Sequence, residues 1–254
     1  MPMSNVLVVA APLIESQIAE LARAYRRANG PVMALVNRLG GGVEAQMVLI
    51  PPRLRLEIER VTVVALTAAH GVAGLASRGP DLGRRGSMAA AVATGAAGGA
   101  GGLLSAVAEL PVTITVILHA IQREAVLAGY DPAEAGVRAA CLEVFAAGSP
   151  VQADDGVNAA FLSARLTLTG PAIQKIIATV APRLAAALGR KLMVQAVPVL
   201  GAVTGAALNA TYLNYYCEIA RIRFALMRLA ETHGGEAVVA AFSSAVAAPR
   251  VTQG

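Results

Sequence analysis

The stretch that decides the fold is ATGAAGGAGG, residues 93–102, inside an uncharged run from Gly86 to Ala108. Such a run is compatible with three structures: a membrane span, a nucleotide-binding glycine loop, or a close contact between helices. Its length is enough to span a bilayer. However, 15 of its 23 residues are Ala or Gly, so insertion would be marginal. No Lys-Ser or Lys-Thr pair follows the glycines and no predicted strand precedes them, which argues against a phosphate loop.

Glycines spaced four residues apart favour close packing of helices. The pairs are Gly95 with Gly99, Gly98 with Gly102, and, in a second uncharged run from Leu192 to Cys217, Gly201 with Gly205. A helical glycine costs about 1 kcal/mol relative to alanine in water, so close packing or lipid contact must offset that cost. We therefore predict that the two runs form helices that pair backbone to backbone.

The composition predicts an all-α fold, a compact multi-helix bundle around close-packed helices rich in Gly and Ala. Apolar residues make up 56% of the 254 residues and aromatic residues 4%, and strand-like alternation occurs only briefly near residues 112–116. Periodicity and turn residues predict helices at residues 12–29, 53–76, 112–128, 133–147, 158–169, 171–188 and through the second run to about 233. We expect an N-terminal amphipathic segment (1–44), one helical domain (45–235) and a C-terminal tail (236–254).

The charge pattern argues against a nucleic-acid partner. The chain carries a net charge of +5, but its basic residues are scattered and not interleaved with aromatic residues. A mild positive excess beside long apolar runs fits an anionic membrane surface. Cys141 and Cys217 lack metal-ligand spacing, so we expect no metal and no cofactor. No basic residue precedes the first apolar stretch, so we expect no secretory signal and a cytoplasmic protein.

Polar side chains in apolar surroundings are the candidates for chemistry. Glu109 either acts as a general acid or base or caps a helix that starts near Pro111, and the cap is the favoured interpretation. A polar stripe at helical spacing consists of Thr115, His119, Gln122 and Arg123. A second polar set, on the last long helix, consists of Asn214, Glu218 and Arg221. The stripe either lines a cavity or forms the solvated side of its helix, and Glu218 and Arg221 either belong to a site or form a surface ion pair. Glu143 lies among apolar neighbours, and one hypothesis pairs it with a cation of these two sets.

The chain resembles the EcsC family of bacterial proteins. The resemblance rests on ELPVTITVILHAI (109–121), CLEVFAAGS (141–149), GRKLMVQAVPVLGAVTGAALN (189–209) and ARIRF (220–224), with a weaker match at 49–66. It covers roughly residues 45–235. It implies a helical protein that is membrane-associated or peripheral, and it supplies no catalytic motif.

Two hypotheses follow. In the first, the protein is a non-catalytic accessory at the inner face of the cell membrane, peripheral or partly inserted, that binds lipid or an integral membrane partner such as a transporter. Lipid or ligand contacts are then expected from Thr115, Gln122, Asn209, Tyr212, Asn214 and Arg221. In the second, a soluble helical enzyme or carrier encloses a hydrophobic small molecule, with Glu109, His119, Arg123 and Glu143 converging on it.

Overall fold

Seven helices make up the described part of the chain. The computed structural model describes residues 4–30, 52–71, 83–100, 102–147, 177–178, 181 and 198–247, and these contain no strand. The helices are α1 (Ser4–Ala28), α2 (Pro52–Gly71), α3 (Gly83–Ala100), α4 (Gly102–Leu127), α5 (Ala135–Ala147), α6 (Pro198–His233) and α7 (Gly235–Ala247). The predicted all-α fold is confirmed.

Helices α3, α4 and α6 pack against one another and form the centre of the fold. The burial pattern of α4 shows why: Leu110, Ile114, Ile117, Ile121 and Ala125 are all buried and recur every three or four residues. Helix α2 packs on α4, and α5 packs on α4 and α6. The sequence period of the apolar residues thus places α4 between other helices.

The apolar interior is divided into two clusters. The larger cluster joins residues of α2 to α6 and includes Phe145, Tyr216 and Phe224. The smaller cluster lies among α1, α7 and the last turns of α6, where Ile18 and Phe242 are buried. Helix α6 contributes to both clusters. Its 36 residues make it about 54 Å long at 1.5 Å per residue.

Helix α1 is amphipathic, as its sequence pattern predicts, and it is tied to the far end of the chain. Its buried positions are Ile18, Leu21, Ala22 and Ala24. The Arg26 guanidinium donates through Nη1 to the carbonyl oxygens of Ala245 at 2.6 Å and Val246 at 3.4 Å. These carbonyls belong to the last turn of α7, where a cation is favoured by the helix dipole.

Four predicted boundaries differ from the structure, and the first is the start of α1, which lies at Ser4 rather than near residue 12. Helix α4 begins at Gly102 rather than near residue 112, with Pro111 inside it, because burial of its apolar face offsets the backbone hydrogen bond that proline cannot make. Helix α3 begins at Gly83, within the predicted loop at residues 77–87. Residues 236–247, assigned to the tail, belong to α7, whose Val238 and Phe242 are buried. The predicted helices at 158–169 and, apart from isolated positions, 171–188 lie outside the described residues.

Candidate functional site

The central helices meet at glycines. A Cβ atom added to Gly95 of α3 would overlap the carbonyl oxygen of Gly205 of α6, so the two main chains are in contact there. A Cβ atom added to Gly98 would overlap the carboxylate of Glu109. The structure therefore places one glycine of each uncharged run against the other. Gly99, Gly102 and Gly201 lie within α3, α4 and α6 respectively.

A buried polar cluster fills the space beside these glycines. Asn209 of α6 donates through Nδ2 to Glu109 Oε1 at 2.7 Å and to Thr94 Oγ1 at 3.2 Å. The hydroxyl of Thr113 donates to the same Glu109 oxygen. Glu109 is 8% exposed and Asn209 is 1% exposed, so water has little access to them. Within the described residues, Asn209 Oδ1 accepts no hydrogen bond.

Glu109 is not a helix cap. It lies in the interior of α4, seven residues after Gly102, where backbone N–H groups are already bonded within the helix. Its carboxylate is held instead by side chains of α4 and α6. The prediction of a cap is wrong because Pro111, although common at the first position of helices, lies in the middle of this one.

The structure does not bring the four catalytic candidates together. Arg123 lies fourteen residues after Glu109 on α4, about 21 Å farther along the helix axis. His119 lies between them and is only half-buried. Glu143 of α5 instead pairs with Arg223 of α6, with Nη2 donating to Oε2 at 3.0 Å. The expected convergence of these four side chains is therefore wrong.

The Glu143 and Arg223 pair is the most deeply buried ion pair in the described helices. Their side chains are 25% and 3% exposed, respectively. Burial raises the pKa of Glu143, and the nearby Arg223 guanidinium opposes that rise. Burial also lowers the pKa of Arg223, which Glu143 opposes. For both partners, desolvation outweighs the mutual attraction, as is common for ion pairs taken out of water.

Arg223 was missed in the sequence analysis, although helical phase identifies its position. Tyr216, Ala220 and Phe224 are buried at spacings of four, and Arg223 lies seven residues after Tyr216 and three after Ala220, on the same helix face. Residues two apart on a helix point in different directions. Arg221 is accordingly exposed and bonded to Glu218 at 2.6 Å, whereas Arg223 points inward.

A small cleft lies where α3, α4 and α6 meet, near Arg123, the last residue of the polar stripe on α4. It has room for about one water molecule and is lined by residues that include Arg84, Ser87, Arg123, Glu124, Asn214 and Cys217. Arg84 donates through Nη2 to Asn214 Oδ1 at 3.3 Å. Burial raises the pKa of the Cys217 thiol to about 11, so this thiol is not ionised at neutral pH. The cleft is too small to enclose a hydrophobic substrate.

The remaining candidates are distributed over the fold. Thr115 is exposed and donates to the Pro111 carbonyl oxygen at 2.8 Å, a bond within its own helix. Gln122 is buried. Tyr212 is buried and stacks on Tyr216, with ring centroids 6.5 Å apart. Together with Asn209 in the polar cluster and Arg221 on the surface, they do not line one common site. The described residues contain no group of His, Cys, Asp and Glu suited to a metal ion.

Among the described helices, only the Val107–Leu127 segment of α4 is long and apolar enough to cross a bilayer. Half of the residues in the most apolar stretch of this segment are buried in the fold. Such a segment also occurs as the core helix of a soluble protein, so length and composition alone do not establish a span.

Comparison with protein families connects these helices to a known group. The model of the EcsC protein family matches residues 84–229, which is more than half of the chain. The match runs from the start of α3 into the last turns of α6 and excludes the weaker resemblance at residues 49–66. Searches of curated proteins and of solved structures found no match. The glycine-packed helices and the polar cluster lie within the matched region, and the chain belongs to the EcsC protein family.

Proposed function

We propose that this protein is a membrane-associated accessory at the inner face of the cell membrane, where it binds lipid or an integral membrane partner such as a transporter. The observation that carries the proposal is the incomplete burial of α4. This helix is apolar enough to cross a bilayer, yet Val112, Val126 and Leu127 are 49%, 53% and 63% exposed. Apolar side chains left on such a helix favour contact with lipid or with a membrane protein.

The charges of α4 favour peripheral association over a complete span. Glu109, Arg123 and Glu124 all lie on this helix, and each charged side chain at the centre of a bilayer costs about 2.5 to 3.5 kcal/mol on insertion scales. Helices α2, α3, α5 and α6 also pack against α4. A protein that lies on the membrane keeps these contacts, whereas insertion of α4 alone would break them.

Arginines at the start of α3 supply a contact for anionic headgroups. Arg84 and Arg85 are exposed in the first turn of α3, which contains no acidic residue. Near an anionic membrane surface each Arg contributes about 1 kcal/mol of binding. The first turn of α3 is thus suited to face the headgroups.

Co-sedimentation with vesicles tests the proposal. The full chain should sediment with vesicles that contain phosphatidylglycerol, and less with pure phosphatidylcholine or at high salt. Replacing Arg84 and Arg85 by Gln removes about 2 kcal/mol, which corresponds to roughly thirtyfold weaker binding. The matched control is the double replacement of Arg23 and Arg27, which are exposed on α1. A chain that stays in the supernatant with every vesicle would refute the proposal.

A further inference from the structure

We propose that α2 is the element that contacts the bilayer, lying in the plane of an anionic membrane surface with Leu56, Val63 and Val64 toward the lipid. This inference rests on the proposed membrane association. It adds which face of the fold meets the membrane and how that face is oriented.

The three side chains lie on one face of α2. Leu56, Val63 and Val64 are 67%, 37% and 60% exposed. At 100° per residue, positions 56, 63 and 64 fall within a sector of about 100°. The opposite face, with Ile58 and Leu66, is buried in the main apolar cluster. Helix α2 therefore has two apolar faces, of which only one is covered in the part of the chain that the structure describes.

This outward face brings its exposed apolar side chains close together along the helix. Eight large apolar residues are exposed in the described chain, and three of them share this sector of α2 within residues 56–64. Helix α4 exposes three more, Val112, Val126 and Leu127, over a longer stretch, and α3 and α6 expose one each, Val92 and Val203. Single exposed apolar residues are normal on soluble proteins, whereas several on one helix face indicate a binding surface.

Basic side chains accompany the apolar residues in the same sector. Arg53 and Arg60 are exposed, and positions 53 and 60 lie at intermediate angles between Leu56 and Val64. Arg60 bonds to Glu57 at 2.6 Å, but its side chain remains 70% exposed. Arginine can keep its apolar stem beside lipid tails while its guanidinium reaches a phosphate. This combination of charge and apolar surface matches an anionic bilayer interface.

A bilayer fits this face better than a folded protein partner does. The outward sector of α2 contains aliphatic side chains, arginines and Thr67, with no aromatic residue. The energetically dominant residues of protein interfaces are often Trp and Tyr that fill a pocket on the partner, and this face has neither. A membrane interface requires only apolar side chains at the depth of the acyl chains and cations at the depth of the headgroups.

A single tryptophan reports directly on this face because the chain contains none. Leu56→Trp is compared with Val203→Trp, a control at a site on α6 that is 74% exposed. Vesicles of phosphatidylcholine and phosphatidylglycerol with brominated acyl chains are added to each full-length variant. We expect the emission of the tryptophan at position 56 to shift to the blue and to be quenched, and the emission of the control to stay unchanged.

The outcomes separate this inference from the proposed function. If both variants sediment with vesicles but the probe at position 56 is neither shifted nor quenched, α2 is not the contact and membrane association stands. If neither variant sediments, both fail. If the emission of the probe at position 56 shifts with protein concentration before vesicles are added, a second copy covers the face and the inference is overturned.

A charge on this face provides an independent test. Val64→Asp should weaken co-sedimentation by about tenfold or more, whereas Val203→Asp should leave it nearly unchanged. Both positions are exposed, so circular dichroism should show the helix content of the unchanged chain in both variants. Equal binding of the two aspartate variants would overturn the inference.

Discussion

At the scale of single residues, the buried carboxylate of Glu109 depends on an amide from a distant part of the chain. Asn209 Nδ2 lies within 2.7 Å of Glu109 Oε1 and 3.2 Å of Thr94 Oγ1. One side-chain amide therefore connects α3, α4 and α6. A buried charged acceptor that loses its donor costs more than the bond itself contributes.

Replacing Asn209 by Leu should lower the free energy of unfolding by about 3 kcal/mol, because Glu109 loses its amide donor in a buried site. Urea denaturation at neutral pH measures the change. Thr211→Val is the control, since Thr211 is half-buried and its hydroxyl bonds to the Ala207 carbonyl of its own helix at 2.8 Å. A loss no larger than that of the control would show that Asn209 does not stabilise Glu109.

Replacing Asn209 by Asp should be more damaging at neutral pH. It would place a second carboxylate where the amide now lies 2.7 Å from Glu109 Oε1. Two buried like charges at this distance repel each other, so the loss of stability should exceed that of Asn209→Leu. Urea denaturation of both variants at neutral pH would reveal the difference, and equal losses would contradict it.

Sequence reasoning identified Glu109 as unusual but could not assign its environment. A carboxylate between two apolar segments is conspicuous in a single sequence, and the need for a partner follows from the cost of burying it. The partner is 100 residues away in the chain, in a run where one asparagine among small residues gives no local signal. Asn209 was consequently grouped with the ligand-binding candidates, although its amide is used within the fold.

At the scale of helices, the contact between Gly95 and Gly205 sets how closely α3 and α6 approach. Gly95→Ala should lower the free energy of unfolding by about 2 kcal/mol, because the new methyl group meets backbone and the helices must separate. This loss should appear despite a gain of roughly 1 kcal/mol in helix propensity. Thermal and urea unfolding measure it. An alanine variant as stable as the original chain would show that the helices are not in main-chain contact.

Gly98→Ala offers a contrasting case because the atom it meets belongs to a side chain. The obstacle is the carboxylate of Glu109, which can rotate, although its buried hydrogen bonds resist that movement. We expect a loss of about 1 kcal/mol in the original chain and a smaller loss when Glu109 is also replaced by Ala. Unfolding of the two single variants and the double variant gives this coupling, and strict additivity would argue against the contact.

The existence of paired glycine helices could be predicted, whereas their register could not. Small residues four apart reveal which face of each helix can approach a neighbour closely. The glycine runs offer several alternative alignments with nearly the same local spacing, so the alignment depends on side chains outside them, including Glu109 and Asn209. The start of α4 was misplaced for a related reason: the packing of its apolar face, not proline preference, determines its length.

At the scale of the whole molecule, the ion pair between Glu143 and Arg223 joins α5 to α6 at a cost in desolvation. Replacing Glu143 by Gln and Arg223 by Met together should raise the free energy of unfolding by about 1 kcal/mol, because two charges no longer leave water on folding. The control is the same double replacement of Glu218 and Arg221, a more exposed pair at 2.6 Å on α6, which should change stability by less than about 1 kcal/mol. Calorimetry or urea unfolding provides the comparison. A lower stability of the first double variant would show that the buried pair is net favourable.

The same pair predicts a pH dependence of stability. The pKa of Glu143 is raised by burial above its ordinary value of 4.5, so the folded chain binds this proton more tightly than the unfolded chain does. This contribution is fully present below about pH 4.5 and is lost as the pH rises through the raised pKa. Arg223 stays charged over this range because its pKa, although lowered, remains near 9. Urea titrations between mildly acidic and neutral pH should show this decline in the original chain and its absence from the double variant.

The contact between Gly95 and Gly205 also bears on how the chain is made. The two residues are separated by 110 positions, so at about 5 to 20 residues per second a ribosome needs on the order of ten seconds to synthesise the intervening chain. During that interval α3 and α4 have been synthesised but α6 has not. The carboxylate of Glu109 therefore lacks the side-chain amide of Asn209. The nascent polypeptide therefore passes through a stage in which its glycine-lined surface is uncovered, and a chaperone or the lipid surface itself can shield it until translation reaches the final long helix.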